Sequence, residues 1–68
     1  MDNQEFQDRV RACERRLYAT AYLLLHVTAD CEDAVQEAVL RAWQRLPGLQ
    51  NPQFFETWLT RIVINECK

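Results

Sequence analysis

The sequence predicts an all-α fold, a small three-helix bundle, on three observations. Apolar residues recur at steps of three and four in three successive segments, the spacing that keeps side chains on one face of a helix. The segments are separated near His26–Asp30 and at Pro47–Pro52, where capping and helix-breaking residues gather. The apolar–polar alternation of a half-buried strand is missing, and Val63-Ile64 alone is too short to argue for one.

The first helix is expected over about residues 3–26, with Phe6, Val10, Cys13, Leu17, Ala21 and Leu24 facing inward. Arg9, Arg11, Arg15 and Arg16, interleaved with Glu5, Asp8 and Glu14, read as its solvated side. Thr28 or Asp30 can cap the next helix by accepting from a free backbone N–H, and Asp30, Glu32 and Asp33 suit its positive dipole end. That helix, about 29–46, buries Val35, Ala38, Val39, Ala42 and Leu46, and small Ala38 and Ala42 allow close helix approach. Pro47 and Gly48 end it, because proline disfavours a helical residue before it and glycine tolerates a C-terminal turn. Asn51-Pro52 forms a cap and first-turn pair for a third helix, about 52–66, whose stripe is Phe55, Trp58, Leu59, Ile62 and Val63.

At 68 residues the chain is one domain with a small core, since a domain of this size buries only about 60% of the surface its unfolded chain exposes. Its residues are 49% apolar and 26% charged, a globular composition rather than a disordered one. No apolar run approaches the ~20 residues of a membrane span, and the N-terminus lacks the basic start and apolar stretch of a signal peptide. Membrane insertion is therefore not expected, and a cytoplasmic location is. Ten acids against eight bases give a net charge of −2, which argues against autonomous binding to duplex DNA.

Three cysteines, Cys13, Cys31 and Cys67, have no C-x-x-C spacing, so neither a disulfide framework nor a zinc site follows. Cys13 and Cys31 read as small apolar fillers. His26 with Cys31 falls short of a zinc quartet and reads as an ordinary helix-end residue. There is no glycine-rich phosphate loop and no set of nucleophile and base, so no enzyme and no cofactor are expected.

Two stretches carry the functional signal. Asp33, Gln36, Glu37 and Leu40 line one face of the second helix, beside its buried stripe. Such a face is either a solvated surface with acids at the helix N-terminus or a docking site for an Arg-rich helical partner. In the loop 47–54, Gln50, Asn51 and Gln53 can hydrogen-bond a base edge or serve as cap and turn residues. On the third helix Arg61 and Asn65 share a face, and Arg61 can alternatively pair with Glu56 or Asn65. Trp58, with Phe55, Leu59 and Ile62 for neighbours, reads as core.

The run Asp33-Ala-Val-Gln-Glu-Ala-Val-Leu-Arg-Ala-Trp43 resembles the D-x-V-Q-E-x-hydrophobic-x-R-A-W/Y helix of bacterial extracytoplasmic-function (ECF) sigma factors. Phe55-Glu-Thr-Trp-Leu-Thr-Arg-Ile-Val-Ile-Asn65 is similar to that family's F-x-T-W-L-x-R-I-x-x-N helix. The resemblance covers roughly residues 5–68 and implies the N-terminal region 2 domain, with a helix-turn-helix domain expected after Lys68 in the natural protein. It implies that Asp33, Gln36, Glu37, Leu40 and Arg41 contact core RNA polymerase at its β′ clamp helices. It implies that Gln50, Asn51, Gln53, Trp58, Arg61, Asn65 and Lys68 contact the non-template single strand of the promoter minus-ten element, with a base flipped into the loop. An anti-sigma factor is a further expected partner, and large aromatics beside an exposed docking face make self-association an expectation. The rival reading is a small helical module that binds polymerase or an anti-sigma factor without reading DNA.

Overall fold

The computed structural model describes all 68 residues. Helix α1 spans Asn3–Leu25, α2 spans Thr28–Arg45 and α3 spans Phe55–Glu66, with short 3₁₀ turns at Leu46–Gly48 and Pro52–Phe54 between the last two. There is no strand, as the missing alternation implied. Each helix packs against both others, and α1, with its 23 residues, sets the 32 Å long axis of the molecule.

Local chemistry fixes the ends. Asp2 accepts from the Glu5 N–H at 2.8 Å and starts α1. At its other end His26 adopts a left-handed φ of 62° and donates its backbone N–H to Tyr22 O at 2.9 Å. This single left-handed residue reverses the chain so tightly that α2 begins at Thr28, one residue earlier than expected. Neither Thr28 nor Asp30 caps α2; Val27 holds the cap position in extended backbone without a side-chain bond. Asp30 remains in the first turn, where the dipole favours its charge.

Gly48 does not provide a left-handed stop. No glycine has positive φ, and α2 instead tightens into the Leu46–Gly48 turn, with Leu49 N–H donating to Leu46 O at 3.0 Å. The Asn51-Pro52 pair caps as expected, Asn51 Oδ1 accepting from Gln53 N–H at 3.0 Å, but the turn it starts is 3₁₀ and the α-helix begins at Phe55.

The core consists of Phe6, Cys13, Leu17 and Ala21 from α1, Cys31, Val35, Ala38 and Ala42 from α2, and Phe55, Leu59, Ile62 and Val63 from α3. Cys13 and Cys31 are apolar fillers, as the sequence suggested. Ala21, Ala38 and Ala42 are fully buried, small side chains of the kind that allow close helix approach. Leu24, assigned inward, is half exposed. After Ala21 the buried side continues at the four-residue step, to the partly buried Leu25. Trp58 is only partly buried, packed against the rim of the core.

The charged side of α1 is more than a solvated face. Arg9 donates to Pro52 O at 2.9 Å, pairs with Glu5 at 2.9 Å and lies 5.9 Å above the Phe55 ring. Arg16 reaches Glu56 at 2.8 Å. Both therefore tie α1 to the start of α3 and the turn before it.

These burials order the costs of truncation. Leu59→Ala should lower the unfolding free energy by about 2–5 kcal/mol, enough to unfold much of so small a domain. Trp58→Ala should cost less than Leu59→Ala, because part of that ring stays in solvent; chemical denaturation of both variants measures the order.

Burial pushes the Cys13 thiol above its ordinary value of 9.0, with the Glu56 carboxylate as second cause, and burial raises Cys67 likewise. Because the folded values are raised, this contribution is complete below the unfolded value and is lost as pH rises through the folded one. Stability should therefore be insensitive to these thiols at neutral pH and fall with their ionisation above 9.0. Denaturation midpoints of the native chain and of Cys13→Ala across that range test this.

Candidate functional site

The two motif-bearing stretches arrive at different places. On α2 the apolar residues of the motif turn into the core, and Asp33, Gln36 and Glu37 are left exposed, with Leu40 51% accessible beside them. Steps of three and four along a helix bring these four into one row. The result is an acidic and amide-bearing ridge with one protruding apolar side chain. Arg41, assigned to the same face, is drawn the other way. Its Nε lies 2.7 Å from Glu66 Oε2 on α3, and its Nη2 lies 3.6 Å from Glu37. The Nε–H makes no aligned hydrogen bond despite this proximity, so the contact with Glu66 is a charge contact joining α2 to α3.

The second stretch builds an open groove of about 670 Å³. One wall is the loop, Gly48, Leu49, Gln50 and Asn51; the other is Phe54, Thr57, Trp58 and Arg61 at the start of α3. None of these eight residues is acidic, although the chain carries a net charge of −2. Arg61 forms no ion pair. Its expected partner Glu56 is held by Arg16 instead, which leaves the guanidinium exposed at the groove. Trp58 contributes a partly buried ring, 5.9 Å from that of Phe55. Asn51 lines the groove, but its side-chain oxygen is engaged in the cap of the following turn.

Four of the expected DNA-contacting residues, Gln50, Asn51, Trp58 and Arg61, thus come together. Gln53 does not join them; it lies on the opposite side of the turn, near Arg9, Cys13 and Glu56. Asn65 and Lys68 are exposed farther along the C-terminal end, outside the groove. Phe54, Thr57 and Leu49 line it without having been singled out. Phe54, Thr57, Trp58 and Arg61 stand at i, i+3, i+4 and i+7, so a signal for the α3 wall was present in the spacing. The Phe55 stripe, one residue out of phase, faces the core instead.

No group of three or more His, Cys, Asp or Glu side chains is arranged to hold a metal ion. No helix is long and apolar enough to cross a membrane.

Comparison with known proteins identifies the family. Residues 9–68 match the family Sigma-70 region 2. The chain is 45% identical over 56 residues to a probable RNA polymerase sigma factor, RfaY, of Xanthomonas campestris, covering 82% of this chain and 14% of that protein. It is 36% identical over 63 residues to the ECF RNA polymerase sigma factor SigG of Mycobacterium tuberculosis, covering 93% of this chain and 17% of that one. To the ECF RNA polymerase sigma factor SigW of Bacillus subtilis it is 33% identical over 64 residues, covering 94% of this chain and 34% of the relative. The chain therefore spans between 14% and 34% of the length of these relatives. No solved structure gives a significant match. The chain belongs to the Sigma-70 region 2 family, in the form carried by the ECF sigma factors.

Proposed function

We propose that the chain is a transcription initiation module that docks on core RNA polymerase and takes up the melted non-template strand of the promoter minus-ten element. It acts in the cytoplasm, by binding and without catalysis. One observation carries the reading: of the twelve residues that the family resemblance assigns to contacts, only Arg41 and Trp58 are partly buried, and the other ten are exposed. The motif's apolar residues meanwhile supply core. A structural motif alone would explain the buried half and leave the exposed half without a purpose.

The ridge of Asp33, Gln36, Glu37 and Leu40 suits the clamp helices of the β′ subunit, where charge-assisted hydrogen bonds set register and the leucine adds apolar contact. Arg41 acts at one remove, holding α2 against α3 through Glu66 while its partial exposure leaves an edge for polymerase. The groove, with Asn65 and Lys68 beyond it, suits an unpaired strand, whose bases need aromatic and amide surfaces and whose phosphates need an unpaired cation. An anti-sigma factor would occlude the same ridge, and a second copy of the chain would compete for it.

Replacing Asp33, Gln36 and Glu37 together with Ala should remove most capture of core polymerase in a pull-down and leave the helical circular dichroism nearly unchanged, since exposed helix positions cost little stability. Undiminished capture would show that the ridge is not the docking face. With polymerase present, a labelled single strand carrying the minus-ten sequence should bind more tightly than a scrambled strand or the duplex, and substitution of Asn65 should weaken it. Equal binding of matched and scrambled strands would leave a polymerase-binding module that does not read DNA.

A further inference from the structure

We propose that Phe54 is the stacking wall for one unpaired nucleobase in the groove. The proposal rests on the strand-binding reading above and adds to it a residue that the family motif does not include.

Phe54 is 61% exposed, an unusual placement for a phenylalanine in a domain with so small a core. Its ring pairs with no other ring, whereas Phe6, Trp43, Phe55 and Trp58 are linked to one another. Phe54 therefore offers a free aromatic face to the groove it lines with Trp58.

Its backbone is also held in place. The turn that carries it is closed by the Phe54 N–H bond to Asn51 O at 3.0 Å and fastened to α1 by Arg9, which donates to Pro52 O at 2.9 Å. With the backbone fixed, only the ring's own rotamer is left to order when a base settles on it.

The other lining groups select the occupant. Gln50 presents an amide suited to a base edge, and Arg61, one turn beyond Trp58, presents a guanidinium with no carboxylate in the groove to compete for it. An aromatic face, an amide and a free cation together match a nucleotide of a single strand, where stacking tolerates any base and the phosphate supplies the counter-charge. The volume, about 670 Å³, falls within the range of small-molecule sites.

The test measures fluorescence anisotropy of a labelled single strand carrying the minus-ten sequence, with the chain bound to core polymerase. Each base position is replaced in turn by an abasic site, and Phe54→Ala, Phe54→Leu and Phe54→Tyr are compared with the unchanged chain. Phe54→Ala should weaken binding of the intact strand by about tenfold, the usual scale of one lost stacking contact. Phe54→Leu should weaken it similarly, and Phe54→Tyr should bind like the unchanged chain. At one abasic position the difference between Phe54 and Ala should vanish, the non-additivity that identifies a direct contact. Because Phe54 is exposed, circular dichroism and polymerase capture should not change in any variant. If Phe54→Ala weakens every abasic strand as much as the intact one, or Phe54→Leu binds undiminished, Phe54 is not a stacking wall, although strand reading by the domain stands. If the unchanged chain fails to distinguish matched from scrambled strands, the strand-binding reading itself is wrong and this proposal falls with it.

Discussion

The loop end of the bundle depends on Phe6. This buried ring of α1 lies 5.1 Å from Trp43 on α2 and 5.7 Å, edge to face, from Phe55 on α3, and Phe55 continues to Trp58 at 5.9 Å. One side chain near the N-terminus therefore joins all three helices where the connection between α2 and α3 leaves the core. Each such pair is worth about 0.5–1.5 kcal/mol beyond the area it buries, a large share of the stability available to 68 residues. Elsewhere the core is aliphatic, with Leu17, Leu59 and Val63 as its largest fully buried side chains and Ala21, Ala38 and Ala42 as small buried positions between them. Because the aromatic run ends at Trp58, the packing of the bundle and one wall of the groove share the same rings.

The polar contacts between helices have another task. Arg16–Glu56 is largely exposed, and an ion pair of this kind contributes about 0–1 kcal/mol, while Arg41–Glu66 is partly buried at its contact. They set register and occupy charges. Arg16 keeps Glu56 from Arg61, and Arg41 holds Glu66 against α2. Glu56, the carboxylate that the sequence offers to the groove's only cation, is thereby held elsewhere. The absence of acid around Arg61 is thus connected to the bridging of α1 and α3, two features that look unrelated when read along the chain.

How much of this was legible in the sequence differs by element. The three helices and most core positions follow from the three- and four-residue steps, since periodicity reports directly on burial. The failures lie where the signal is local and ambiguous. Leu24 and Leu25 both satisfy a helical step after Ala21, and only packing at the helix end selects Leu25. Thr28 and Asp30 are good caps by composition, yet His26 adopts a left-handed backbone that few side chains favour, and the helix starts early enough to place both inside it, with Val27 at the cap. Arg9 and Arg16 looked solvated because their partners lie 43 and 40 residues away, a separation at which spacing carries no information. For the candidate sites, the row Asp33, Gln36, Glu37 and Leu40 was readable because its members stand on one helix, whereas the turn of Arg41 toward Glu66 on α3 was not. The groove was half readable. Trp58 and Arg61 follow from helical phase, but the separation of Gln53 from Gln50 and Asn51 depends on how two 3₁₀ turns fold the loop.

Charge decides how the two faces must cooperate on the proposed reading. The chain carries a net −2, its helix-two ridge is acidic, and the groove has a single unpaired cation. Counterion release, which scales with the number of phosphates neutralised, therefore gives this domain little hold on DNA alone. The acidic ridge would add repulsion to any approach of bare duplex. On the proposed reading, docking on polymerase would neutralise the same ridge and present the groove to a strand that polymerase already confines. Binding then becomes a local event at high effective concentration, for which the stacking and amide contacts of one small groove suffice. On the same reading, an acidic domain that meets the promoter through polymerase would be spared competition from non-specific DNA, and a weak hold on duplex would favour selective use.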